Sequence, residues 1–161
     1  MSRNARFRQQ LQHATLMHAM SAHNPLSARL AADAGFDAIW GSGFELSASY
    51  AVPDANILSA GQHLDMMRAI AAAIDIPVIA DIDTGFGNAI NVAYAVPQYE
   101  AAGVSAVVME DKTFPKDTSL RADGRQELVR TEEFQGKIEA ACAARRDPDS
   151  VSYTHLRAHE T

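Results

Sequence analysis

Short apolar runs alternate along the chain with longer segments in which apolar side chains recur at helical spacing. The apolar runs at 16–20, 36–40, 76–80 and 104–109 are bounded by polar or turn residues and predict buried strands. Between them, apolar positions three and four residues apart predict helices, as in the segment from Leu64 to Ile74. This alternation of strands and helices is typical of a parallel sheet.

Residues that begin and end helices support this order. Asn24 is suited to cap a helix, Pro25 to occupy its first position, and Gly35 to end it. Further helices are predicted at 4–12, 88–102 and 131–146. The stretch from 41 to 56, by contrast, begins with Gly41-Ser42-Gly43 and is predicted to be a long loop, an element that often carries function.

The order of elements indicates an α/β fold. Four βα units with polar side chains at the carboxyl ends of the strands predict the N-terminal half of a TIM-type (β/α)8 barrel, and a doubly wound sheet is the alternative. Such barrels typically need about 250 residues, so this chain has room for a partial barrel, which we assign to residues 1–150. Residues 151–161 are polar where a fifth buried strand should begin. We interpret them as an aberrant or foreign tail, with a natural mobile terminus as the alternative.

Acidic side chains collect at the predicted carboxyl ends of the strands. The run from Ile76 to Ala80 is followed by Asp81 and Asp83, which point to the same side because strand side chains alternate. Glu110 follows the next predicted strand, and Asp54 lies in the long loop. Mg²⁺ prefers oxygen ligands and keeps several waters, so one or two carboxylates can bind it directly while others hold its waters. These acids predict a magnesium site, and the alternative for any one of them is a solubilising loop residue.

Composition narrows the class of protein. Hydrophobic residues make up 47% of the chain and charged residues 21%, with a formal net charge of −6, as in a soluble globular domain. No apolar run approaches the roughly 20 residues of a membrane span, and the acidic balance argues against nucleic acid as a partner. The lone cysteine, Cys142, excludes an internal disulfide and is consistent with a cytoplasmic location. We expect it to be a small packing residue in its helix.

Four motifs, in order along the chain, carry a resemblance to a known family. They are Gly41-Ser42-Gly43, Asp54-Ala55-Asn56, the run from Asp81 to Gly87, and the run from Glu110 to Lys116. Together they resemble the phosphoenolpyruvate mutase and isocitrate lyase superfamily over most of the chain. The resemblance implies a (β/α)8 barrel, a small-molecule phosphonate or 2-oxo acid as substrate, and a full-length protein that forms homo-oligomers.

The resemblance also implies roles for individual residues. Asp81 is expected to bind the metal directly, while Asp54, Asp83 and Glu110 hold metal-bound waters. The implied cofactor is Mg²⁺, with Mn²⁺ or Co²⁺ as substitutes. The implied catalytic residues are Asp54, Lys116 and Thr118, of which the last two close over the phosphoryl group.

The implied substrate-binding residues fall into three groups. Trp40 is expected to form a wall of the site, and backbone N–H groups near Ser42, Gly43 and Phe44 to receive the substrate carboxylate or enolate oxygen. Ser119 and Leu120 are expected to complete a lid that excludes bulk water.

Within the superfamily, the loop from Phe114 to Leu120 is most similar to that of a branch that hydrolyses a carbon–phosphorus bond. The implied reaction is Mg-dependent conversion of phosphonopyruvate to pyruvate and phosphate by a full-length parent. Thr118 stands where the mutase branch usually has Asn, and the loop has no cysteine such as the lyases use as an acid. Two alternatives stay open. One is phosphomutase activity, and the other is a catalytically inactive fragment that lacks the Arg and His of the family's second half.

Overall fold

Parallel strands form the centre of the fold in the computed structural model, which describes residues 1–14, 16–118 and 127–155. The strands in these residues are β1 (Ala19–Ala22), β2 (Ala38–Gly41), β3 (Val78–Asp81), β4 (Ala106–Glu110) and β5 (Val151–His155). They form one sheet in the order β1-β2-β3-β4-β5, and each neighbouring pair is parallel. The carboxyl ends of all five strands therefore meet at the same edge of the sheet.

Helices connect the strands. Those in the described residues are α1 (Arg3–His13), α2 (Pro25–Asp33), α3 (Gly43–Ser49), α4 (Ala60–Ala73), α5 (Ala89–Ala101) and α6 (Thr131–Ala144). Apart from the pair α3 and α4, which lies between β2 and β3, one helix follows each strand up to β5. Among the described residues, no helix combines the length and the apolar character needed to cross a membrane.

The two faces of the sheet carry different side chains. The buried core includes Ile39, Val78, Ala80, Val107 and Met109 from three adjacent strands. Because side chains alternate along a strand, their neighbours Trp40, Ile79 and Asp81 lie on the opposite face. In register, Trp40 pairs with Ile79 and Asp81 pairs with Val108. The predicted acidic residues lie on the side of this second face, at the carboxyl ends of the strands.

Helix α1 closes the end of the sheet away from those acids. Phe7 is buried with 1% of its surface exposed. The Arg3 guanidinium donates to the backbone carbonyls of Ala71, 3.0 Å away, and Gly103, 3.3 Å away. The Ala71 carbonyl lies in the last turn of α4, which precedes β3, and the Gly103 carbonyl lies just before β4, so α1 ties together the segments that lead into both strands.

The predicted fold class is confirmed, and local signals placed most elements within a few residues. Helix α2 begins as predicted, with the Asn24 side chain accepting from the Ser27 amide at 2.8 Å and Pro25 in the first turn. The four predicted strands correspond to β1, β2, β3 and β4, although β1 begins and ends later than the predicted run. The parallel order of the sheet fits half of a (β/α)8 barrel.

Two local predictions are wrong. The segment from 41 to 56 is not loop throughout, because it contains α3, which Ser42 caps by accepting from the Glu45 amide at 3.1 Å. A capping serine and an acid in the first turn favour a short helix that apolar periodicity does not reveal. Cys142 is exposed and does not pack in the core, because its position faces outward on α6.

The segment 151–161 differs from its prediction as a tail beyond the domain. Its first five residues form β5, paired with β4 from Ala106↔Val151 to Glu110↔His155. Backbone N–H and C=O groups can complete a parallel ladder even when the side chains are polar, which is why composition did not indicate this strand. Whether the segment is foreign in origin stays a prediction, and residues 156–161 lie outside the described part of the chain.

Candidate functional site

The centre of the candidate site is the turn that follows β3. Asp81 is the last residue of β3, and Asp83 lies two residues later. Ile82, between them, is fully buried in the core. The Asp83 amide donates to Asp81 Oδ1 at 3.0 Å, so the two acids are held next to each other. Both carboxylates therefore lie on one side, as the sequence predicts.

The neighbouring strand brings a third acid. Glu110 ends β4, and its amide donates to the Asp83 carbonyl at 2.7 Å. The Glu110 side chain forms an ion pair with Lys112, whose Nζ lies 3.0 Å from Glu110 Oε2. The end of β4 is thereby joined directly to the turn after β3.

Lys116 bridges this turn to the segment before α4. Its Nζ lies 2.9 Å from Asp54 Oδ2 and also forms an ion pair with Asp83 Oδ1. The Lys116 side chain is 4% exposed and those of Asp54 and Asp83 are 12% and 11% exposed, so the three charges interact away from bulk water. We call Asp54, Asp81, Asp83 and Glu110 the carboxylate cluster.

Asn56 belongs to the site, although the sequence indicated no role for it. Its Nδ2 donates to Asp83 Oδ2 at 2.8 Å, and its Oδ1 accepts from the Lys116 amide at 2.6 Å. Its backbone has φ of 55°, a left-handed conformation that asparagine tolerates better than most residues. The only sequence signal was its place in the motif Asp54-Ala55-Asn56.

Burial and charge shift the ionisation of the cluster. Burial, followed by repulsion from Asp83 and, less strongly, Glu110, raises the pKa of Asp81 to about 7. Burial also raises the pKa of Asp83, against the attraction of Lys116. Burial opposes the charged form of Lys116, but the nearby carboxylates outweigh it and raise the pKa of the lysine.

The charge of the cluster suits a divalent cation. Among the described residues, ion pairs bring two ammonium groups, Lys112 and Lys116, to three of the four carboxylates. With all four acids ionised, the cluster and these two lysines together carry two negative charges. No three His, Cys, Asp or Glu side chains in that part of the chain already converge on one metal position. Mg²⁺ commonly uses only one or two carboxylates and fills its octahedron with water, so the residues present fit this ion.

The predicted substrate-binding residues lie at the end of β2. A Cβ atom on Gly43 would come within 3.3 Å of Asp83 Oδ1, so the backbone there lies against the carboxylate cluster. Gly43 and Phe44 are the first two residues of α3, whose amides have no acceptor within the helix. The Ser42 amide is different, because it donates to the Ala22 carbonyl at 3.2 Å. Trp40 is half-buried on the same sheet face as Asp81.

The predicted lid is described only in part. Thr118 lies two residues beyond Lys116 and is partly buried. Ser119 and Leu120 lie outside the described residues, so their predicted roles are not tested.

Both the sequence and the fold of the chain are similar to those of known proteins. Residues 7–152 match the model of the family described as phosphoenolpyruvate phosphomutase. The chain is 70% identical over 158 residues to a phosphonopyruvate hydrolase of Variovorax sp. (strain Pal2), covering 98% of this chain and 54% of that protein. It is 41% identical over 139 residues to a phosphoenolpyruvate phosphomutase of Tetrahymena pyriformis, covering 86% of this chain and 46% of that protein.

A solved structure shows the same arrangement of elements. The crystal structure of a phosphonopyruvate hydrolase in complex with oxalate and Mg²⁺ superposes with a TM-score of 0.90 at 66% sequence identity. The match covers 98% of this chain and 53% of that chain. The chain thus spans about half the length of the relatives it matches.

Proposed function

Because the chain belongs to the phosphoenolpyruvate phosphomutase family, we propose that a protein containing it hydrolyses the carbon–phosphorus bond of phosphonopyruvate to pyruvate and phosphate, with Mg²⁺ as cofactor. The observation that carries the proposal is the carboxylate cluster, which gathers acids from the ends of β3 and β4 and from the segment before α4 and includes the ion pairs of Lys116. The 70% identity to a phosphonopyruvate hydrolase favours hydrolysis over the mutase reaction, whose named relative is 41% identical.

The metal-binding roles follow from position and burial. We assign direct binding to Asp81, because it ends β3 and because burial, followed by repulsion from Asp83, raises its pKa to about 7, and a nearby cation would offset both effects. Asp54, Asp83 and Glu110 would hold waters of the ion, since each already carries an ion pair with a lysine. When bound, Mg²⁺ supplies a Lewis acid that stabilises the negative charge left on the pyruvate fragment as the carbon–phosphorus bond breaks.

The chain's own residues would bind and orient the substrate around that charge. The first-turn amides of Gly43 and Phe44 would receive the substrate carboxylate or enolate oxygen, because N–H groups without an acceptor in the helix favour anions. Since the Ser42 amide already has an acceptor, we assign Ser42 a capping role instead. Lys116 would place its buried positive charge near the phosphoryl group.

The remaining roles concern the walls and the lid. Trp40 would form a wall beside Asp81, while Thr118, Ser119 and Leu120 would close over the phosphoryl group and admit one attacking water. Mn²⁺ or Co²⁺ would substitute for Mg²⁺, since both accept similar oxygen ligands. We further propose a cytoplasmic, homo-oligomeric protein.

Phosphate release from phosphonopyruvate with Mg²⁺ tests the proposal. The assay compares the 161-residue chain with an extended chain, in which the C-terminal half of the Variovorax hydrolase follows it at the equivalent position. We expect release by the extended chain and none by the 161-residue chain. Asp81→Asn in the extended chain should abolish release by removing the direct ligand.

Two results would contradict the proposal. Formation of phosphoenolpyruvate in place of phosphate would assign the mutase reaction. An extended chain that folds and binds Mg²⁺ but converts neither compound would exclude phosphonopyruvate as the substrate.

A further inference from the structure

The turn that carries Asp81 and Asp83 has an unfavourable backbone. Asp83 and Phe86 have φ of 52° and 60°, and Gly85 and Gly87 have φ of 84° and 145°. Positive φ at a residue with a side chain costs free energy and persists only where surrounding contacts enforce it. We call residues 82–87 the metal-site turn. Its shape depends on what holds it from outside.

Three consecutive carbonyls of the metal-site turn accept hydrogen bonds. The Ile82 carbonyl accepts from the Gly85 amide at 2.9 Å, and the Asp83 carbonyl accepts from the Glu110 amide at 2.7 Å. The third, of Thr84, accepts from the side chain of Lys137 at 3.1 Å. Two of the three donors are thus backbone groups, whereas the third comes from a side chain on a different element.

Lys137 occupies an unusual position for a lysine. It lies in α6, is 1% exposed, and has no carboxylate within ion-pair distance among the described residues. Burial lowers its pKa, and the more distant Glu133 opposes that shift only in part. A buried ammonium group is unfavourable unless hydrogen bonds or an opposite charge compensate its loss of hydration. The partner it reaches is the fully buried Thr84.

We propose that Lys137 is a positioning residue that holds the metal-site turn through the Thr84 carbonyl and thereby sets Asp81 and Asp83 for a divalent cation. The proposal rests on the proposed function. Lys137 acts through the backbone and not through its charge. The lysine whose charge acts on Asp81 and Asp83, opposing the rise of their pKa values, is Lys116. The role resembles that of outer residues which orient metal ligands in other sites.

The test replaces Lys137 by methionine in the extended chain, because methionine keeps most of the volume and removes the donor. Two quantities are measured without substrate: the Mg²⁺ dissociation constant by calorimetry, and amide hydrogen exchange of residues 83–87. We expect Lys137→Met to weaken Mg²⁺ binding by roughly 10- to 100-fold, the usual effect of losing an outer-shell partner. Exchange in the metal-site turn should become faster.

Phe134→Leu is the matched control. Phe134 lies one turn before Lys137 on α6 and is 4% exposed, but it belongs to the apolar core. This variant should lower the thermal midpoint while leaving Mg²⁺ affinity within about twofold, because no donor to the turn is lost. If Lys137→Met changes Mg²⁺ affinity no more than Phe134→Leu does, the inference is overturned.

The two proposals fail separately in this design. Phosphate release by the extended chain together with unchanged Mg²⁺ affinity in Lys137→Met would overturn the positioning role alone. Weakened Mg²⁺ binding in that variant, without phosphate release by the parent, would support the positioning role and overturn the proposed reaction.

Discussion

Asn56 connects two halves of the candidate site through one side chain. Its amide nitrogen donates to the Asp83 carboxylate, and its oxygen accepts from the Lys116 backbone. Because asparagine offers one donor group and one acceptor in the same plane, it can bridge a carboxylate and an amide at once. Neither an acid nor an alanine could make both contacts.

Replacing Asn56 by aspartate should disrupt the site without changing the size of the side chain. The variant keeps an acceptor for the Lys116 amide but places a new carboxylate oxygen against Asp83. We expect kcat/KM for phosphonopyruvate to fall by about 10- to 100-fold in the extended chain, as for other losses of outer-shell partners. Asn91→Asp is the control, since Asn91 uses its oxygen to accept from the Asn88 amide on the surface. Equal activity of both variants would contradict a role for Asn56 in the site.

His63 makes stability depend on pH. Burial, followed by the positive charge of Lys116, lowers the pKa of His63 from 6.5 to about 4. Between these values the unfolded chain binds a proton that the folded chain does not, so the free energy of unfolding falls as the pH falls. At about 1.4 kcal/mol per pH unit, the full effect is about 3 kcal/mol.

Urea unfolding at pH 7, 6, 5 and 4 measures this contribution as the difference between the parent and His63→Asn. The difference should shrink steadily below pH 6.5. Tyr99→Phe is the control: His63 Nδ1 lies 2.8 Å from the Tyr99 hydroxyl, so this variant loses one hydrogen bond but keeps the buried imidazole. It should be less stable at every pH and retain the parent's slope. A parent and His63→Asn with parallel pH profiles would contradict the assignment.

At the scale of elements, two glycines separate the effect of space from the effect of backbone conformation. A Cβ atom at Gly35, which follows α2, or at Gly136, within α6, would meet no atom within 4 Å. Gly35 has φ of +90°, whereas Gly136 lies in regular helix. Any difference between alanine substitutions at these positions therefore reports the backbone alone.

Alanine at Gly136 should stabilise the protein by about 0.5–1 kcal/mol, because it removes the conformational entropy of glycine from a helix interior. Alanine at Gly35 should destabilise it by about 1–2 kcal/mol, because a Cβ atom is unfavourable at positive φ. Chemical unfolding of both variants at constant pH measures the two changes. Shifts of the same sign would show that contacts at one of the positions differ from those in the structure.

Patterns among neighbouring residues, such as capping residues and apolar periodicity, account for most elements at this scale. The Asn24–Pro25 start of α2 and the apolar period of α4 depend on residues a few positions apart, so sequence reasoning found them. Helix α3 and strand β5 were missed for the opposite reason. Helix α3 has only seven residues, with little apolar periodicity. Strand β5 forms by backbone pairing with β4 despite its polar side chains.

At the scale of the whole molecule, the sheet of the described residues ends at β1 and β5, and neither outer edge has a strand partner there. Exposed apolar side chains gather near β1, with Met20 45% exposed and Leu26 and Leu30 of α2 at 69% and 62%. Unpaired strand edges beside apolar surface promote association between chains.

The 161-residue chain should therefore self-associate with increasing concentration, which sedimentation velocity would detect. Met20→Lys should reduce this association, because a charge on an edge strand opposes pairing with another chain. Tyr94→Lys is the control, since Tyr94 is also exposed, at 75%, but lies on α5 away from β1. A monodisperse monomer over the concentration range, or equal effects of the two variants, would contradict the role of the β1 edge.

The sequence alone determined the α/β class, the order of the four long βα units and the strand-end acids Asp81, Asp83 and Glu110, because each depends on periodicity or spacing within one segment. Only the tertiary structure decided which distant groups meet. Asn56 and Lys116 approach Asp83 from separate loops, and Lys137, although lysine is a residue type that is rarely buried, is buried against Thr84. The physical reason is that a side chain's burial and partners depend on the packing of elements far apart in the chain, which no local pattern records.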